Sequence, residues 1–204
     1  MKTSWQQYFS RPNKRIYFFA SLLGLVITLV AFIYFLTFNE NRTGYLFNDP
    51  ILILFKPVAF SEIIFFLTYF FAVYGIIILF REPQLFVGLI QAYTIMTLIR
   101  MFCLYVFPLE PPFSIIPLKD TFLQSSFYSG RENLKDLFFS GHTATIFLFV
   151  FIFKRGIFKI LFATGGFVIG VLLVLQHVHY SIDVLVAPLF AFIAVKVQRK
   201  INIQ

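Results

Sequence analysis

Residues 16–38 read IYFFASLLGLVITLVAFIYFLTF, a run of 23 residues without a charge. A transmembrane helix needs roughly 17–25 mostly apolar residues, and this run supplies them. Lys14 and Arg15 stand before it and no small-residue cleavage pattern follows, so it reads as a retained helix rather than a removed signal peptide. The rest of the chain repeats the pattern. Val58 to Phe80 is a second span, Leu85 to Phe107 a third, Leu137 to Phe153 a fourth, Phe158 to His177 a fifth and Tyr180 to Val195 a sixth. Arg81-Glu82-Pro83-Gln84 and Lys154-Arg155-Gly156 make short turns, and Pro108 to Asp136 is a long polar connection with four prolines.

Composition closes off the soluble classes. Of 204 residues, 59% are hydrophobic, 13% are charged and 31 are Phe. A soluble domain carries about 25% charged residues, so this chain cannot clothe a water-facing surface. The expectation is an all-α integral membrane bundle of six transmembrane helices, forming a single domain over residues 1–204. A lone Cys103 excludes an internal disulfide and a Cys-based zinc site. The net charge of +8 reads as orientation and contact with anionic lipid, not nucleic acid.

Lys and Arg orient the spans. With the N-terminus in the cytoplasm, the cytoplasmic segments hold eleven: Lys2, Arg11, Lys14, Arg15, Arg81, Lys154, Arg155, Lys159, Lys196, Arg199 and Lys200. The other side holds five, Arg42, Lys56, Lys119, Arg131 and Lys135. Both termini are therefore expected in the cytoplasm. Gly166 and Gly170 are a small-xxx-small pair suited to close helix packing, and Pro188 is expected to kink the last helix. Asn41-Arg42-Thr43 forms a sequon on the outer loop that carries no meaning in a bacterial protein.

Ionisable groups inside membrane spans are costly and mark candidate sites. Here they are Glu62, Arg100, His142 and Asp183, with His177 and His179 at a helix edge. His142 falls a turn and a half into the fourth span. The chain then descends, turns and climbs to His177 and His179, back on the outer side. Arg100 lies about 10 Å below the outer end of the third span at ~1.5 Å per residue. The four residues Arg100, His142, His179 and Asp183 can thus share one outer-leaflet pocket. Arg100 has two further options, pairing with Glu62 or reaching lipid phosphate.

The spacings have chemical meaning. His179 and Asp183 stand at i and i+4, which on a helix places them on one face. A carboxylate on one imidazole nitrogen leaves the other as nucleophile or base. Ser140-Gly141-His142-Thr143 stands near a helix start, where N–H groups and the dipole favour an anion. A second histidine there can protonate a leaving oxygen. The set suits phosphoryl chemistry with no metal and no cofactor, since no ligand set such as three carboxylates or a Cys/His quartet stands near the motifs.

Residues 136–143, DLFFSGHT, resemble the "D…SGHT" motif of the sphingomyelin synthase family, within the type 2 phosphatidic acid phosphatase superfamily. Residues 177–184, HVHYSIDV, resemble its "H-x-HYT-x-DV" motif. Arg100 to Val106 followed by Pro108 to Pro112 is similar, more loosely, to its "R…MYV…LPVP" stretch. The resemblance spans roughly residues 93–195. Phe139 stands where the phosphatases usually carry Pro, and Gln176 and His177 where they carry Ser-Arg, which points to the synthase branch.

The resemblance implies six helices with an outward-facing site. It implies that His179 attacks phosphorus, that Asp183 orients it and that His142 protonates the departing lipid oxygen. Arg100, Ser140 and Gly141, with His177 as a further candidate, would bind the substrate phosphate. A phosphocholine or phosphoethanolamine group would pass from a phospholipid to a sphingolipid acceptor. With water as acceptor the same site is a lipid phosphatase or a phospholipase C-like hydrolase. The chain looks like a compact bacterial member, placing it in the inner membrane with its site toward the periplasm. A lipid transporter or scaffold is the competing class, but no inverted repeat supports transport.

Overall fold

The computed structural model of the protein describes residues 4–118, 133–153 and 156–202. Among these the fold is all helical. α1 (Trp5–Phe9) and α2 (Pro12–Glu40) are followed by a short 3-10 turn (Leu52–Leu54) in a long loop. Then come α3 (Ser61–Phe80), α4 (Pro83–Val106), α5 (Gly141–Ile152), α6 (Ile157–Leu175) and α7 (Ser181–Asn202). Lys2, Lys119, Arg131, Lys154 and Arg155 of the charge count lie outside the described residues.

Local signals explain several ends. Ser4 and Gln7 form a capping box on α1. Pro12 and Pro83 open α2 and α4, where a missing N–H costs nothing. α7 runs on through Pro188, which lies inside it.

The elements alternate in direction. At one end, the Trp5 indole N–H donates to the Phe80 carbonyl at 2.8 Å, and Arg199 Nη2 donates to that of Phe151 at 2.7 Å. At the other end, the Val58 N–H donates to the carbonyl of Leu175 at 3.0 Å. Residues 41–60, 107–118, 133–140 and 176–180 gather at this second end. The start of α1 and the finish of α7 both lie at the first.

Five of the helices, α2, α3, α4, α6 and α7, are long and apolar enough to cross a membrane. The fourth expected span is a shorter apolar helix. α5 holds 12 residues, about 18 Å at 1.5 Å per residue, against a hydrocarbon core of ~30 Å. Residues 137–140, expected as helix, are irregular. The reason lies in the packing. α5 sits inside the bundle against α3, α4, α6 and α7, with Ala144, Ile146 and Leu148 fully buried. Irregular backbone at membrane depth is tolerated where protein encloses it. Here Arg100 Nε donates to the Phe139 carbonyl at 3.0 Å, and the Ser140 N–H donates to that of Asp183 at 3.1 Å.

Phe supplies much of the interior. The Phe162 ring meets Phe71, Tyr74, Phe149 and Phe153. Phe139 stacks on Phe190 at 4.3 Å. By contrast α2 turns apolar side chains such as Ile16, Leu23 and Ile27 outward, as a helix facing lipid does.

Candidate active site

Ser140 is the N-cap of α5. Its hydroxyl accepts from the Thr143 N–H at 3.5 Å and donates to Thr143 Oγ1 at 3.2 Å. Gly141 and His142 are therefore the first two residues of the helix, so His142 lies at the helix start and not a turn and a half in. Its half-buried ring meets that of Phe65 edge-on, 5.9 Å between centroids.

Arg100 comes from α4 and passes over this helix start. Besides Phe139, its guanidinium holds the Asp136 carboxylate at 2.8 Å and lies 5.5 Å from the Phe32 ring centroid. A Cβ at position 141 would fall on the guanidinium, so only glycine lets the arginine come this close. The partner of Arg100 is thus Asp136. Glu62 stands in the first turn of α3 with its side chain exposed.

The second helix start belongs to α7. His179 lies before α7 rather than on it, so the i,i+4 pair does not share a helical face. Asp183 instead reaches back from the third helical position. Its Oδ2 accepts from the Tyr180 N–H at 3.1 Å and lies 3.4 Å from His179 Nδ1, while Oδ1 has no hydrogen-bond partner among the described residues. Both side chains are buried. A carboxylate at Nδ1 favours the tautomer that leaves the Nε2 lone pair available. The Ser140 N–H to Asp183 carbonyl bond then joins the two helix starts through main chain. Their dipoles and the Arg100 charge favour an anion between them.

His177 is held apart from this pair. It adopts φ 57°, and its Nδ1 pairs with Ser114 Oγ. Its buried Nε2 has no hydrogen-bond partner among the described residues, and the Phe55 ring lies 5.2 Å away. Burial lowers its pKa below the usual histidine value, against the opposing charge of Asp49.

Two residues hold the site end together in roles that the sequence did not assign to them. Asp49 accepts from the Ser181 N–H at 2.6 Å and the Ile51 N–H at 2.8 Å, so the loop after α2 caps α7. Burial pushes its pKa up, but these N–H groups more than offset that and leave it lowered. Gln176 accepts from the Phe60 N–H at 2.7 Å, and donates to Ser61 Oγ at 2.8 Å and the Ile116 carbonyl at 3.0 Å. The one signal for it was an amide ending an apolar run.

Among the described residues no three His, Cys, Asp or Glu gather as metal ligands. Residues 135–200 match the family model described as PAP2 superfamily C-terminal. The match covers 66 of 204 residues. It takes in Asp136, both histidine motifs, α5, α6 and α7 as far as Lys200, and leaves Arg100 outside. No curated protein and no solved structure matches the chain. The match supports the type 2 phosphatidic acid phosphatase superfamily, and with it an enzyme of lipid phosphate chemistry in the membrane.

Proposed function

We propose, from the superfamily match and the two joined helix starts, that the chain is a sphingomyelin synthase-like lipid phosphotransferase working through a phosphohistidine. The observation that carries the reading is the main-chain bond from Ser140 to Asp183, which ties the Ser-Gly-His turn to the His179–Asp183 pair. In the first step His179 Nε2 attacks the phosphorus of a phospholipid. The N–P bond forms, the P–O bond to the diacylglycerol oxygen breaks, and that oxygen takes a proton from His142. In the second step an acceptor hydroxyl gives its proton to His142 and attacks phosphorus, and the N–P bond breaks. Arg100, Ser140 and Gly141 stabilise the phosphate, and Asp183 orients His179. His177 is a further candidate for phosphate binding from the same turn.

The phosphatase class of the matched superfamily favours one second reading. With water as acceptor the same two steps release the headgroup phosphate and make the protein a lipid phosphatase or phospholipase C-like hydrolase. Lipid mass spectrometry separates the two. Membranes carrying the chain, supplied with phosphatidylcholine, phosphatidylethanolamine and ceramide, are expected to accumulate a headgroup-bearing sphingolipid and diacylglycerol, and to do so equally in EDTA. Released phosphate ester without a sphingolipid product selects hydrolysis. Loss in EDTA restored by a divalent ion overturns the metal-free mechanism, and no product of either kind leaves a transporter or scaffold.

The site faces the bacterial periplasm in this reading, with both termini in the cytoplasm, following the charge count of eleven against five. Phe113, 91% exposed at the site end, offers a handle. Phe113→Cys in a Cys103→Ser background is expected to react with an impermeant maleimide from the periplasmic side of intact cells. Labelling only after the inner membrane is opened would invert the topology.

A further inference from the structure

Along the outside of α5, between α6 and α7, runs an apolar groove of about 370 Å³, within the ~300–1,000 Å³ usual for small-molecule sites. Gly166 and Gly170 make room for it. A Cβ at Gly170 would come within 2.6 Å of Val184, and one at Gly166 within 2.8 Å of Phe147. The glycines thus do pack closely, as expected, but against α7 and α5 they also leave a channel that larger residues would fill.

Three features identify what fits there. The groove follows α6 from Leu175 to Gly166, roughly 14 Å at 1.5 Å per residue, close to half of a ~30 Å hydrocarbon core. It therefore reaches through one leaflet from the site end. Its rim residues Phe167, Val171 and Leu185 are 67%, 41% and 68% exposed, on two helices long enough to cross a membrane, so the opening looks sideways into lipid. Its upper end meets the candidate site. Thr143 and Ser181 line it, the first bonded to the Ser140 hydroxyl and the second at the start of the helix that carries Asp183.

We infer that the groove between α6 and α7 seats one acyl chain of the phospholipid donor, with its phosphate presented at the joined starts of α5 and α7. This rests on the proposed phosphotransfer for the donor's identity, but the seat itself is testable without turnover. A lipid that approaches sideways keeps its tail in the hydrocarbon while its headgroup rises to His179. The specificity that follows is for donors with a long chain at that position.

Two measurements decide it. Phosphatidylcholine vesicles doped with a phosphatidylcholine carrying a mid-chain diazirine are photolysed with the wild-type chain, and the adducts are mapped by mass spectrometry. Label is expected on Phe167, Val171 or Leu185, and also in His179→Ala, which cannot turn over. Label confined to other helices, as when a second copy or another protein covers the groove, overturns the seat. In the second, Val171→Trp fills the groove from its exposed rim. It is expected to shift the ratio of activity on long-chain phosphatidylcholine to that on an acyl-free nitrophenyl phosphodiester by about tenfold or more, the worth of two buried methylenes. An unchanged ratio overturns the seat. Labelled rim residues with no product in any assay would sink the phosphotransfer reading and leave the lipid seat standing.

Discussion

His179→Ala is expected to abolish formation of a phosphorylated protein with every substrate and to lower turnover by roughly 10⁴-fold or more, as loss of a covalent nucleophile does. His142→Ala is expected to behave differently. It should slow reaction with a phospholipid by roughly 10²–10⁴-fold, the usual worth of a general acid. It should still become phosphorylated by a nitrophenyl phosphodiester, whose leaving group needs no proton. The asymmetry follows from the surroundings. Asp183 Oδ2 faces His179 Nδ1 at 3.4 Å inside the protein, which suits His179 to attack, whereas His142 stands half-buried at the start of α5. Asp183→Asn should keep the fold, because the asparagine oxygen can still accept from the Tyr180 N–H, while the nucleophile loses its anionic orienter. Acid-labile phosphate trapped on His142 would reverse the two roles. Full activity with no trapped phosphate on either would replace the intermediate with direct attack by the acceptor.

Arg100→Ala is expected to cost stability as well as activity. It strips the Phe139 carbonyl of its donor and leaves Asp136 without its cation. Breaking a buried ion pair by removing one partner costs ~3–5 kcal/mol. The Asp136 side chain is 24% exposed, so a value of about 2–3 kcal/mol is expected after solvent screening. Unfolding in detergent micelles, followed by denaturant titration, measures it. Gly141→Ala should destabilise by about 1–3 kcal/mol through overpacking on the guanidinium, and most of that should vanish in an Arg100→Ala background. Strict additivity of the two substitutions would show that the arginine does not rest on the helix start.

Where the helices lie was legible, because a long apolar run states its own length. Ile16 to Phe38 falls inside α2, and Val58 to Phe80 lies within three residues of α3 at its start and coincides at its end. Ser140-Gly141-His142 was legible as lying near a helix start, since capping is local, but the helix itself was expected to begin at Leu137 and begins at Gly141. Four things were not. The spacing of His179 and Asp183 fits both a shared helical face and a side chain reaching back over a helix start, and periodicity cannot choose between them. The partner of Arg100 lies 36 residues along the chain, and Glu62 was as plausible by depth. The length of α5 depends on what surrounds it: Leu137 to Phe153 is apolar enough to span lipid, yet protein contacts let its first four residues leave the helix. Asp49 carried no pattern and Gln176 only that of an amide ending an apolar run, because each bonds main-chain groups brought together by the fold.

The shortness of α5 has a consequence for how the protein is made. A twelve-residue apolar helix does not match the thickness of a bilayer, and its Ser140 and Asp136 end would meet hydrocarbon with main-chain groups unpaired. It has no stable berth until α4 supplies Arg100 and α7 supplies the Asp183 carbonyl. Stable insertion of α5 is therefore expected to wait for α7, which begins at Ser181, well beyond the end of α5 at Ile152. Bringing the two histidine motifs together and closing the bundle would then be one event, so a chain stalled before α7 is expected to leave α5 as the segment most exposed to membrane quality control.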